Sequence, residues 1–190
     1  MRYFFAFFIF ICFNSHSQII INEYSAANFN DFNDNYGQNE DWFELYNNSE
    51  SSINLNGYYV SDKNHNLTKW QFTADFNINP NEHLVVFCSG RDEINEGNIH
   101  TSFKLHQTKG NEWIILTEPD GVTIVDSIFI RPCLANSSRG KLNYTDNTKG
   151  VFTTSTPGTI NTGGYIEYSS TPSFTPAAGI HNSPINVTIT

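Results

Sequence analysis

Basic residues are scarce in this 190-residue chain: ten Lys and Arg stand against nineteen Asp and Glu, for a formal net charge of −9. So acidic a surface is repelled by phosphate backbones and by anionic membranes, which removes nucleic acid from the expected partners. Helical periodicity is missing as well. From Gln18 onward almost no stretch repeats apolar residues at i, i+3 and i+4, which excludes a helical architecture. The histidines His65, His83, His100, His106 and His181 lie scattered, without the spacing that zinc requires, and are expected on loops or strand surfaces. No Gly-x-Ser-x-Gly turn occurs; Ser89, beside Gly90, has no local context that would activate it. Gly163 and Gly164 precede no helix, so they do not form a phosphate-cradling loop.

The first residues have the composition of an export signal. Arg2 supplies the positive start, Tyr3 to Phe13 the short apolar run, and Ser15 and Ser17 the small residues before a cut at Gln18. The run falls short of the roughly 18 apolar residues of a membrane span. Residues 1–17 are therefore expected to be a signal peptide, and the remainder secreted or at the cell surface with no membrane span. Cys12 leaves with the signal. Cys88 and Cys133 remain in an oxidising compartment, where a disulfide and a pair of buried thiols both stand as readings.

What is present in abundance is the short β-branched and aromatic run bounded by Asn, Asp, Gly and Pro, the pattern of an all-β sandwich or barrel. Strands are predicted at Ile19 to Tyr24, Trp42 to Tyr46, Tyr58 to Ser61, Lys69 to Phe72, His83 to Cys88, Glu112 to Thr117 and Thr123 to Ile128. The last two form a hairpin about Glu118-Pro119-Asp120-Gly121. In Asp41-Trp42-Phe43-Glu44-Leu45-Tyr46, alternation puts Trp42, Glu44 and Tyr46 on one face and Phe43 with Leu45 on the other. Apolar groups on both faces predict a central, covered strand, in which Glu44 must find hydrogen-bond donors to offset its desolvation. Thr153 to Gly164, rich in Thr, Gly, Ser and Asn, has the composition of a linker. Beyond it, Tyr165 to Tyr168 and Ile185 to Ile189 are expected as strands of a second β domain that is incomplete at Thr190.

In order along Ile19 to Asn161, several motifs resemble those of the bacterial lamin-tail domain family. They are Ile21-Asn22-Glu23-Tyr24 with Asn28, Asp41 to Asn47, Ile53 to Asp62, Phe72 with Ile78 to Gly90, the Asp120-Gly121 hairpin, Ser138-Arg139-Gly140, and Ser155-Thr156-Pro157-Gly158. The resemblance implies an immunoglobulin-like β-sandwich used in exported bacterial proteins as an accessory module beside nucleases, phosphatases or kinase-like domains. The tail, through Pro172, Phe174, Gly179, Ser183, Pro184 and Val187-Thr188-Ile189, resembles the start of the chitobiase/hexosaminidase C-terminal-like sandwich domain of exported spore-coat kinase-like proteins. The organisation expected is thus a signal at 1–17, a lamin-tail-like domain at 18–161, a linker at 162–165 and a partial β domain at 166–190.

Candidate sites are few. Asp31, Asn33, Asn35 and Asp41 crowd before a strand with part of the alternate spacing of a calcium loop, although Gly37 falls one place late; the competing reading is a solvated Asn/Asp turn. Glu23 and Glu44 are two strand carboxylates, expected to tie strands together and not to cleave glycosides. Trp42, Glu44 and Trp113 are expected to be structural. Tyr36, Tyr58, Tyr59 and Trp70 are either a stacking surface or core filling. No catalytic residue and no cofactor other than calcium is expected. Two functions follow: a non-catalytic exported module that binds or positions a protein or glycan, or the front part of a larger exported enzyme.

Overall fold

A computed structural model describes residues 18–144 and 147–190; the expected signal peptide lies outside the described residues. The strands are β1 Ile19–Ser25, β2 Trp42–Asn47, β3 Ile53–Asn54, β4 Tyr59–Ser61, β5 Trp70–Gln71, β6 Asn77–Ile78, β7 His83–Phe87, β8 Glu93–Asn95, β9 Asn98–His100, β10 Trp113–Thr117, β11 Ile124–Phe129, β12 Ser138–Lys141, β13 Lys149–Phe152, β14 Phe174–Thr175 and β15 Thr188–Ile189. A seven-stranded sheet runs in the order β13-β12-β1-β2-β7-β9-β8, and a four-stranded sheet in the order β11-β10-β4-β5. The described residues contain no helix.

Both predicted faces of β2 are buried, as its composition requires. Phe43 and Leu45 join Ile19, Ile21 and Tyr24 of the large sheet against Val60, Trp70, Ile114, Leu116 and Ile128 of the small one. This two-sheet core is that of an all-β, immunoglobulin-like sandwich. The predicted hairpin pairs Trp113 with Phe129 and closes through Gly121, whose N–H donates to the Glu118 carbonyl at 3.0 Å at a φ of 74°. Trp113 packs edge-on against Phe129 at 5.2 Å.

One irregularity positions everything that follows. Ile21 opposes Leu45, but Glu23 opposes Glu44, so Asn22 is an extra residue in β1, a bulge. Ile19 and Ile21 face the core before the bulge and Tyr24 faces it after. Asn22 and Glu23 are thereby turned to the outer face of the large sheet beside Glu44.

The expected linker does not run free. Residues 155–161 lie across that outer face, and Tyr165 bridges to Val151 of β13. The expected strand at Tyr165 to Tyr168 is reduced to that one bridge, and the Ile185 to Ile189 strand to Thr188–Ile189, paired with Phe174–Thr175.

Candidate functional site

Glu23 and Glu44 are both fully buried and directly opposed, an arrangement that repels unless donors surround it. The donors are present. Glu23 accepts from the Ser138 hydroxyl, from Thr156 N at 3.0 Å and from Thr156 Oγ1 at 2.6 Å. Glu44 accepts from Asn22 Nδ2 at 2.7 Å and from Gly158 N, and meets His83 Nδ1 at 2.7 Å. Asn161 closes the set, accepting from Asn22 Nδ2 at 2.8 Å and donating to the Lys141 carbonyl at 2.9 Å.

The strap that supplies the Thr156 and Gly158 donors is a turn, Thr156-Pro157-Gly158-Thr159, with Thr159 N donating to Thr156 O at 3.1 Å and Gly158 at a φ of 78°. Proline at the second position and a left-handed residue at the third define a type II turn, which aims the Gly158 N–H at the sheet. Gly140 of β12 lies beneath it, where a Cβ would collide with the Asn22 carbonyl oxygen. Burial still raises the Glu23 carboxyl above its ordinary value, against its three hydrogen bonds and with a further push from Glu44.

The opposite end of the outer face is built on Asn28. Its amide donates to the carbonyls of Phe32 at 2.6 Å and Glu40 at 2.8 Å, while its Oδ1 accepts from Phe32 N at 3.1 Å. Phe32 is thereby seated over Trp42 and Phe87. The four residues of the expected calcium loop are not brought together on a common point. Asp31 accepts from Ser155, Asn33 from Asn39, Asn35 meets His100 Nε2 at 2.8 Å, and Asp41 accepts from Asn28 N at 3.3 Å. Among the described residues no group of three or more His, Cys, Asp and Glu is arranged to hold a metal ion. Burial lifts the Asp41 carboxyl to about 6, with neighbouring Glu40 adding to the shift.

Two histidines depart from the expected surface placement, because each is claimed by a partner remote in sequence. The His83 side chain is only 6% exposed beside Glu44, between Tyr46 and Tyr144. His100 is fully buried, its Nδ1 3.0 Å from Ser89 Oγ and its Nε2 held by Asn35. Ser89 therefore has a histidine partner that its local sequence did not reveal. The Ser–His–Asn chain resembles a nucleophile relay, yet Ser89 is 5% exposed and its oxygen also accepts from Arg91 N at 3.2 Å. These bonds suit it to fastening the Asn35 loop to β7 and β9.

Of the two readings of the cysteines, the structure has the second: Cys88 and Cys133 are buried free thiols in the interior cluster, and desolvation raises both above the ordinary thiol value. The aromatics divide similarly. Trp70 is buried, Tyr58 and Tyr59 are half-buried, and Tyr36 is 43% exposed with the Arg91 guanidinium 4.6 Å from its ring centre.

An open cleft of about 260 Å³ lies where the two sheets' free edges meet, lined by Trp70 and Gln71 of β5 and by Asp92, Glu93 and Ile94 beside and within β8. Trp70 Nε1 donates to Asp92 Oδ1 at 2.9 Å across it. No curated protein matches the chain. The family model described as Lamin Tail Domain matches residues 14–131, from before β1 through the hairpin to Arg131. With that match spanning more than half of its length, and with the sandwich it implies in place, the chain belongs to the lamin-tail domain family.

Proposed function

We propose that this chain is a non-catalytic, exported module that binds or positions a protein or glycan partner at the cell surface, using loops carried on a rigid sandwich. The observation that carries this reading is the state of its polar clusters. The opposed Glu23 and Glu44 are saturated by donors of their own chain, and the Ser89–His100–Asn35 chain is buried, so neither presents a reactive group to solvent. The accessible features are contact features instead: Phe29, Leu134 and Tyr36 on loops, and the cleft between the sheet edges. The test is a pair of measurements on the chain from Gln18 to Thr190. Capture of a partner on a glycan array or in a pull-down, together with no turnover in hydrolase and phosphotransfer assays, is the expected result; turnover would overturn the proposal.

A second reading has one observation in its favour. Phe174, Ile180, Ile185, Val187 and Ile189 are all between 40% and 98% exposed around the β14–β15 pair. Such a surface suits the opening part of a chitobiase-like second domain in a larger exported enzyme of the spore-coat kinase-like, nuclease or phosphatase kind. The reading frame beyond Thr190 decides it: a long continuation carrying a catalytic region supports it, and an immediate stop removes it.

A further inference from the structure

We infer that the hollow beside β13, flanked by Arg131 and Arg139, is a recognition groove for a short polypeptide segment of the pattern apolar–acidic–tyrosine, filled in this chain by its own residues 166–168. The inference rests on the binding-module reading and names the class of partner.

Tyr165 docks as a single strand rung, and the chain then bends at Ile166 and Glu167. Val151 N donates to Tyr165 O at 2.7 Å and Tyr165 N to Val151 O at 2.9 Å, an antiparallel bridge at the free edge of the large sheet. The backbones meet closely because glycine stands at both contacts: a Cβ on Gly150 would collide with the Tyr165 carbonyl oxygen, and one on Gly164 with the Phe152 ring. Next along the segment, Ile166 borders a hollow of about 100 Å³ shared with Tyr24, Ile128 and Phe129.

Glu167 is gripped by the planar fork of Arg139, at 2.7 Å and 3.2 Å, and by Arg131 at 3.2 Å. Arg139 is pre-aimed, its Nε donating to the Pro132 carbonyl at 2.8 Å. Tyr168 then places its hydroxyl 2.6 Å from Ser137 Oγ, accepts from Leu134 N at 3.1 Å, and lays its ring 5.1 Å from the Arg139 guanidinium. Each position of the segment therefore meets a side chain chosen for its chemistry: apolar, then acidic, then phenolic.

The occupant is shallow. Ile166 stays 68% exposed, and the segment pairs with a single residue of β13. Charge favours the same partner. In a chain of net charge −9, Arg131, Arg139, Lys141 and Lys149 gather at or beside this one edge.

The experiment uses the chain from Gln18 to Thr190 and a fluorescent peptide with the sequence of residues 164–169, followed by anisotropy. The double substitution Glu167→Ala, Tyr168→Ala empties the groove, and the expected result is peptide binding at least tenfold tighter than to the unsubstituted chain. Adding Arg139→Ala, or exchanging the peptide's glutamate for glutamine, should abolish that gain. Equal binding by the filled and emptied chains, both keeping their thermal transition, would overturn the groove; so would indifference to Arg139. A dimer of the unsubstituted chain that the double substitution dissolves would overturn the choice of partner in favour of a second copy. Failure here with partner capture retained would leave the module reading standing, whereas turnover would remove that reading alone.

Discussion

Two stretches of chain after β13 are fastened to the same sheet by opposite means. The strap at 155–161 hands neutral donors, two amide N–H groups and one hydroxyl, to carboxylates buried beneath it. The segment at 165–168 hands an exposed carboxylate to arginines. In the first case desolvation dominates and the Glu23 carboxyl is raised; in the second the Arg139 hydrogen bonds dominate and the Glu167 carboxyl is lowered to about 2. Similar polar composition in neighbouring segments thus yields a permanent part of the fold and an exchangeable contact. The difference lies in what each meets: stripping a buried carboxylate of its donors costs far more than opening a partly exposed ion pair.

The largest expected effect comes from removing the acceptor under the strap. Glu44→Ala leaves the Gly158 N–H and His83 Nδ1 without their buried acceptor and takes one of two acceptors from the Asn22 amide. The expected loss is about 2 to 5 kcal/mol in urea denaturation, at roughly 1 to 3 kcal/mol for each buried donor deprived of its acceptor. The Gly158 amide should lose hydrogen-exchange protection at the same time, and an unchanged amide there would mean the strap is held elsewhere. Gly140→Ala comes next, at roughly 1 to 3 kcal/mol, because its new methyl must displace the Asn22 carbonyl and the Asn161 amide. That variant should loosen 155–161 while leaving the Arg139–Glu167 contact in place, which separates the two fastenings directly.

How much of this was readable beforehand depends on where each residue's partner lies. The strands that carry apolar alternation, β1, β2, β7, β10 and β11, appear in the sequence within a residue or two of their bounds, and Glu44 announces its need for donors by having apolar neighbours on both faces. β12 and β13 do not, because Ser138-Arg139-Gly140-Lys141 has no apolar period; it is a buried strand held by Glu23, by Glu167 and by the absence of a side chain at Gly140. The β8–β9 hairpin carries a local signal of its own: Glu96-Gly97, both at positive φ, is a two-residue turn of the tight hairpin kind. His83 and His100 were misplaced on the surface because their partners stand 39 and 65 residues away, beyond the reach of local pattern. The strap looked like a linker for a related reason. Thr, Ser, Gly and Asn are equally the residues of a solvated connection and of one that donates to a buried carboxylate, and composition does not separate the two.

Acidity sharpens the comparison between buried and exposed carboxylates. Asp41 has its folded value raised from 3.8 to about 6, so the folded state holds its proton more tightly than the unfolded one. Its contribution is therefore most favourable below about pH 4, declines as the pH rises to about 6, and is flat above. The amplitude is on the order of 3 kcal/mol, and it should appear as the difference between the stability profiles of the unsubstituted chain and Asp41→Asn. Parallel profiles across that interval would show that Asp41 is solvated in the folded state.

The smallest effect belongs to Glu167, and its sign is reversed. Its folded value lies below 4.5, so the contact with Arg139 is fully present above that pH and is lost as the pH falls towards about 2. With the Glu167 side chain 39% exposed, the pair is screened by salt, and Glu167→Ala should change global stability by less than about 1 kcal/mol. The readout must be local: hydrogen exchange at the Tyr165 and Val151 amides, which donate to each other's carbonyls across the bridge. Protection there, relative to the intrinsic exchange rate at each pH, should fall in the variant, in high salt and as the pH drops towards about 2, while the Gly158 amide under the strap stays protected. If both sets of amides open together, the strap and the segment form one cooperative unit, and the exposed ion pair is then as much a part of the sandwich as the carboxylates beneath it.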